Sequence, residues 1–113
     1  MDILLVLKII AALVTVATGL FALLKPSAAY GFTGLSAEGV RGLSEMRSIF
    51  GGVFIGLGIA PFLLGDTGYT MLGIGYVAIA VARAISIVYD RSYEQSNIIS
   101  LVTEIVLGII LVV

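Results

Sequence analysis

The chain has 113 residues, of which 60% are hydrophobic and only 12% are charged. A soluble domain carries about 25% charged residues, and so small a globule cannot hide this much apolar surface from water. The mean hydropathy of +1.21 therefore excludes a soluble fold, and the net charge of −1 offers no basic field for nucleic acid. The sequence has no Cys and no His, so it lacks a thiolate, an imidazole base and the usual zinc ligands, and we expect neither metal nor cofactor.

Four apolar stretches divide the chain, and each is near the length of about 17 to 25 residues that crosses a bilayer as a helix. They cover residues 3–24, 44–64, 69–89 and 97–113. We predict an all-α integral membrane four-helix bundle that forms a single transmembrane domain over residues 1–113. The short connections after the second and third stretches require antiparallel neighbours.

The first stretch is predicted to be a retained span and not a cleaved signal peptide. Asp2 stands where a signal peptide carries basic residues, Lys8 interrupts the apolar run, and the run is too long. Pro26 closes this helix. The loop over residues 26–43 holds aromatic and aliphatic side chains and should lie in the headgroup region, with a single helical turn near residues 36–40.

The second span should begin at Ser44, a favourable N-cap, with Glu45 complementing the helix dipole. Small residues in three of the spans predict close helix packing, within one chain or between two copies in a homo-oligomer. They are Gly19, Gly51, Gly52, Gly56, Gly58 and Gly108. Pro61 removes a backbone hydrogen bond and should kink the helix, for packing or as a hinge.

The third span, after a predicted tight turn over residues 65–68, carries Arg83, and the fourth carries Glu104. A charge at the centre of a spanning helix costs about 2.5 to 3.5 kcal/mol on insertion scales, so neither side chain should face lipid. Arg83 lies seven residues before Asp90 and Glu104 lies seven residues after Asn97. Both are therefore roughly 10 Å below the same face, and we predict an ion pair between the two helices.

Other charged and polar residues share this end of the bundle, and they are predicted to form one buried polar cluster. Its members are Glu45, Arg47, Arg83, Ser86, Asp90 and Glu104. Two interpretations are open. The cluster is either a structural device that fixes helix partners or a site, because ionisable groups inside a membrane mark pathways, proton relays or ligand clamps.

The distribution of basic residues predicts the topology. With four spans, the 26–43 and 90–95 loops share one side, and this side carries Lys25, Arg41 and Arg91, with Arg47 near them. The other side has only Lys8. Positive charge favours the cytoplasm, so both loops should be cytoplasmic and both termini outside.

The residues that open the second helix, Leu43-Ser44-Glu45-Met46-Arg47, are followed by Gly51-Gly52 and Gly56-Leu57-Gly58. Together with Gly19 to Pro26, Arg83-Ala84-Ile85-Ser86, Asp90, and Glu104 with Gly108, this pattern resembles the bacterial domain-of-unknown-function 4345 family. The resemblance covers almost the whole chain. It implies a small four-span protein of the bacterial inner membrane and adds no reaction. It maps the recurrent family residues onto Glu45, Arg47, Arg83 and Glu104. One departure is Arg91, where glycine is expected after the aspartate.

Three functions fit these residues. The favoured one is an uncharacterised, non-catalytic membrane protein that acts as an accessory subunit of a larger complex, as a homo-oligomer or as a binder of a lipid or quinone-like ligand near Arg83. The alternative is a small proton-coupled transporter or channel that uses Glu104. An enzyme with Glu104 as base and Arg83 as electrostatic stabiliser is third, because the sequence offers no set of nucleophile or metal ligands.

Overall fold

The computed structural model describes residues 2–113, and four long helices account for most of them. Helix α1 is Ile3–Leu24, α2 is Gly39–Leu64, α3 is Asp66–Tyr89 and α4 is Gln95–Val112. Each is long and apolar enough to cross a membrane. The described residues contain no strand. The predicted all-α, four-helix fold class is confirmed.

Helix α1 covers the range expected from the sequence, because both of its ends carry a stop signal. The carboxylate of Asp2 accepts a hydrogen bond of 2.7 Å from the backbone N–H of Leu5 and so caps the first turn. At the other end Pro26 cannot extend the helix and starts a 3₁₀ turn over Pro26–Ala29.

The loop after α1 differs from its prediction. Its helical turns are the 3₁₀ segment and the single turn Tyr30–Thr33, which ends at Gly34 with a left-handed φ of 71°. The turn predicted near residues 36–40 is wrong, since residues 34–38 are irregular and helix α2 begins at Gly39.

Helix α2 begins five residues before the predicted start, so Ser44 is not an N-cap and Glu45 is not in the first turn. The added turn is supported by an ion pair one turn apart, in which Arg41 Nη1 lies 2.5 Å from Glu45 Oε1. From Met46 to Val53 the helix is π-helical, and it returns to α-helix over Phe54–Leu64, where Pro61 is buried.

The connection between α2 and α3 is a single residue and not the four-residue turn predicted. Gly65 has a φ of 68°, a left-handed conformation that glycine adopts without strain, and its N–H donates to the carbonyl of Pro61 at 2.8 Å. Helix α3 then begins at Asp66, a favourable charge for a first helical turn.

The helices pack as two hairpins, α1 with α2 and α3 with α4, and the hairpins meet mainly through α2 and α3. Glycines allow the close approach: a methyl group on Gly19 would lie 2.8 Å from the carbonyl oxygen of Gly51, and one on Gly58 would lie 2.6 Å from Cγ2 of Val16. A small buried core lies between the hairpins, formed by Ala11, Ala12, Tyr69, Leu72, Tyr76 and Leu111.

Two of the predicted packing glycines do not pack inside the chain. Gly52 and Gly56 are exposed, and a methyl group on either would meet no other atom within 4 Å. They face away from α1 because Gly51 and Gly58 occupy that side of α2. Their use between two copies of the chain stays a prediction.

Candidate functional site

The candidate site is the ion pair between Arg83 of α3 and Glu104 of α4. Nε of Arg83 donates to Oε1 of Glu104 at 2.7 Å, and Nη2 donates to Oε2 at 2.8 Å. This two-pronged arrangement matches the fork of a guanidinium to both oxygens of a carboxylate and is the strong form of the interaction. The predicted pairing of these two residues is confirmed.

Glycine contacts between α3 and α4 set the level of the two charges. A methyl group on Gly108 would lie 2.9 Å from Cγ2 of Val77, and one on Gly73 would lie 2.7 Å from Cβ of Leu111. The two helices therefore run in close contact below the pair. Arg83 and Glu104 lie above these contacts, toward the end of the bundle that carries the 25–38 and 90–94 segments, which we call the loop face.

A third residue holds the guanidinium in place. Nη1 of Arg83 donates to Oδ1 of Asn97 at 2.8 Å, and the amide nitrogen of Asn97 donates to Oγ of Ser92 at 3.0 Å. Ser92 in turn donates to the carboxylate of Glu94 at 2.8 Å. The pair is thus linked by hydrogen bonds to the loop between α3 and α4.

The cluster predicted from the sequence left out Asn97, Ser92 and Glu94. Asn97 lies seven residues before Glu104, so the periodicity of α4 places both residues on the same face of the helix. Ser92 and Glu94 carry no helical periodicity, and only the path of the loop brings them to Asn97.

The remaining residues of the predicted cluster do not join this network, so the prediction of one shared buried cluster is wrong. Ser86 donates to Asp90 at 2.7 Å within α3 and its C-cap, and Glu45 pairs with Arg41 on the exposed start of α2. Local partners one turn away satisfy these side chains, which removes the need for a shared buried centre.

Arg47 does not reach Asp90 or Glu104 but donates through Nη1 to the backbone carbonyl of Leu23. The last carbonyls of a helix lack partners within the helix and carry the negative end of its dipole. Leu23 lies in the last turn of α1. Arg47 therefore caps the C-terminal end of α1.

A second polar contact is buried deeper in the molecule. The hydroxyls of Thr15 and Tyr76 lie 2.5 Å apart, and Thr15 also donates to the carbonyl of Ala11 at 2.8 Å. Both side chains are buried. This contact ties α1 to α3 across the two hairpins, and sequence reasoning missed it, although a Thr and a Tyr inside apolar spans both require a partner.

Side chains that commonly bind metal ions do not cluster in the part of the chain that the structure describes. Within residues 2–113, no three side chains of His, Cys, Asp or Glu group closely enough to hold one. The donors at the candidate site are instead a guanidinium, a carboxylate and an amide. They suit hydrogen bonding and charge neutralisation.

These features define a class: a small all-helical protein of two hairpins, with four helices apolar enough to cross a membrane and an arginine–glutamate pair joining the last two. The chain belongs to the family described as Domain of unknown function (DUF4345), whose model matches residues 3–113. This match confirms the resemblance seen in the sequence. No curated protein and no solved structure matches the chain.

Proposed function

We propose that this chain is a non-catalytic, multi-pass membrane protein that binds the carbonyl group of a membrane-soluble amphiphile at Arg83. The observation that carries the proposal is the state of the guanidinium. It is fixed by Glu104 and Asn97, yet the Arg83 side chain remains 32% exposed. A donor that is held in place on a side chain that is still partly exposed is suited to binding.

The guanidinium of Arg83 does not use all of its N–H donors within the described residues. It carries five N–H groups, of which Glu104 takes two and Asn97 takes one. Within residues 2–113, one N–H on each of Nη1 and Nη2 has no acceptor. Acyl chains supply no acceptor either, and an unsatisfied donor in an apolar medium is costly. A ligand oxygen would remove that cost.

Charge favours a neutral acceptor over an anion. Glu104 already neutralises Arg83 through both carboxylate oxygens, so an incoming phosphate or carboxylate would meet its negative charge as well as the guanidinium. A carbonyl oxygen accepts hydrogen bonds without a formal charge. The preferred ligand class is therefore a carbonyl-bearing amphiphile, either an ester lipid or a quinone-like molecule.

The depth of Arg83 agrees with this class. The residue lies six positions before Tyr89, the last residue of α3, which is roughly 9 Å along the helix. Its long side chain can extend toward the loop face. The guanidinium then lies near the boundary between hydrocarbon and headgroups, where lipid ester carbonyls are found.

The geometry argues against Glu104 as a proton carrier or a catalytic base. Both of its oxygens accept charge-assisted hydrogen bonds from Arg83. A proton placed on either oxygen would break one of these bonds and leave the arginine partly unpaired. Proton-coupled transport would show as a pH-driven flux in reconstituted vesicles that is lost in Glu104→Gln.

The proposal is tested with pairs of lipids that differ only at the carbonyl. The full chain is purified in detergent and exposed to an ester-linked phosphatidylcholine or its ether-linked analogue, and retained lipid is measured by native mass spectrometry. We expect the ester lipid to be retained several-fold better. A decyl-tailed benzoquinone, added as competitor, distinguishes the two sources: displacement of the ester lipid identifies a quinone-like ligand.

The variant for this test is Arg83→Gln combined with Glu104→Gln, because the double change leaves no lone buried charge. It should lose the preference for ester over ether while keeping its helical circular dichroism. Arg41→Gln is the matched control, because Arg41 is an exposed arginine at the same end of the bundle. This variant should keep the preference for ester over ether. Equal retention of ester and ether lipids by the unaltered chain would refute the proposal.

A further inference from the structure

A second site lies at the opposite end of the bundle, where the start of α1 meets the turn between α2 and α3. A cavity of about 170 Å³ opens there, lined by Asp2, Leu4, Leu5, Lys8 and Asp66. It is independent of the Arg83 site, from which it is separated by most of the length of α3.

The ammonium of Lys8 is the first feature that points to a ligand. Lys8 is half-buried within α1. Among residues 2–113 it makes no ion pair within 4.0 Å, whereas Arg41 and Arg83 both do. A lysine inside an apolar helix near its end extends toward the interface, where lipid phosphates are the abundant anions.

The two carboxylates of the cavity supply the second feature. One oxygen of Asp2 accepts from the N–H of Leu5, which leaves its other oxygen free of that bond. Asp66 is exposed at the first residue of α3. Two negative groups beside one positive group oppose a purely anionic headgroup and attract a cation next to the phosphate.

We propose that this cavity binds the headgroup of a zwitterionic phospholipid with a primary ammonium group, as in phosphatidylethanolamine, with Lys8 on the phosphate and Asp2 and Asp66 on the ammonium. The walls formed by Leu4 and Leu5 take the glycerol end of the lipid. A primary ammonium donates three hydrogen bonds to the carboxylates, while a trimethylammonium donates none.

The test compares three phospholipids with identical acyl chains on the full chain in detergent. Phosphatidylethanolamine, phosphatidylcholine and phosphatidylglycerol are added in equal amounts, and retained lipid is measured by native mass spectrometry. We expect phosphatidylethanolamine to be retained most. Lys8→Gln and Asp66→Asn should each lower that retention by about tenfold, the usual scale for one charge-assisted hydrogen bond.

Two variants keep the result decisive. Asp66→Glu preserves the carboxylate and should preserve the preference, and Lys25→Gln removes a lysine at the other end of α1 and should change nothing. Equal retention of the three lipids by the unaltered chain would overturn the proposal, as would an unchanged preference in Lys8→Gln and Asp66→Asn. Soluble phosphoethanolamine should not displace the lipid; displacement at matched concentration would overturn the lipid as the source of the headgroup.

Discussion

The backbone N–H of Ser92 donates to the carbonyl of Ile87 at 3.1 Å, and this bond closes the turn at the end of α3. Arg91 lies inside the turn with a φ of 55°. A C″ N–H that bonds to the C3 carbonyl, with a left-handed residue at C′, is the Schellman arrangement, in which C′ is usually glycine. Arg91 therefore occupies a glycine position, in agreement with the glycine expected there from the family resemblance.

Replacement of Arg91 by glycine should stabilise the chain by about 1 kcal/mol. A left-handed conformation costs a residue with a Cβ about 1–2 kcal/mol, which exceeds the extra entropy that glycine gains on unfolding. Denaturant unfolding in detergent, followed by circular dichroism, measures the change. Asp90→Gly is the control: Asp90 has a φ of −93° and accepts from Ser86, so this variant should lose stability. Loss of stability in Arg91→Gly would contradict the assignment.

The Arg83–Glu104 pair should show an energetic coupling. Glu104→Gln leaves a partly buried guanidinium without its anion and should destabilise the fold, and adding Arg83→Gln should recover part of the loss. We expect a coupling free energy of about 0.6–1.7 kcal/mol, the range found for polar contacts between helices in membranes. A double-mutant cycle of unfolding free energies measures it.

The exposed pair Arg41–Glu45 is the reference for this cycle. Its side chains are 79% and 55% exposed, so its coupling should be no more than about 0.5 kcal/mol. Simple additivity of the Arg83 and Glu104 variants would mean that their contact contributes nothing to the stability of the fold.

Arg47 should stabilise the end of α1 through its bond to the carbonyl of Leu23. Arg47→Gln shortens the donor and removes the charge that complements the helix dipole, at an expected cost of about 1–2 kcal/mol. Arg41→Gln, in the first part of the same helix, should cost less than about 0.5 kcal/mol. Thermal unfolding in one detergent compares them, and equal losses would rule out the capping role.

Gly58 and Gly56 make a matched test of helix packing. A methyl group on Gly58 would lie 2.6 Å from Cγ2 of Val16 and 3.0 Å from the carbonyl oxygen of Ala12, whereas one on Gly56 would meet nothing within 4 Å. Gly58→Ala should therefore cost about 1–3 kcal/mol through overpacking. Gly56→Ala should leave the unfolding free energy unchanged or raise it. If both substitutions had the same effect, the close approach of α1 and α2 at Gly58 would be disproved.

The fold and the Arg83–Glu104 ion pair could be predicted from the sequence for the same reason. Apolar length defines the helices, and a short loop between two antiparallel helices fixes which residues lie level, so counting from the loop places Arg83 beside Glu104. The start of α2 could not be predicted in this way. The Arg41–Glu45 ion pair supports an additional turn before Ser44, so the helix begins at Gly39 and Ser44 does not cap it.

The partners of Arg47 and of Tyr76 could not be predicted from the sequence, for a different reason. Arg47 finds a backbone carbonyl, and every residue carries one, so side-chain patterns give no hint of the contact. Tyr76 finds Thr15 from a different hairpin. That contact depends on how the two hairpins pack together, which counting along one hairpin does not define.

The π-helical stretch Met46–Val53 sets the direction in which the start of α2 faces. Each backbone bond there spans one residue more than in an α-helix, so the stretch holds one additional residue. If the same residues formed ordinary α-helix, everything before the stretch would turn by roughly 100° relative to the part that packs on α1. Arg47 would then swing away from Leu23. The π-helical stretch thus sets the rotation of the loop-side start of α2 relative to its glycine-bearing half.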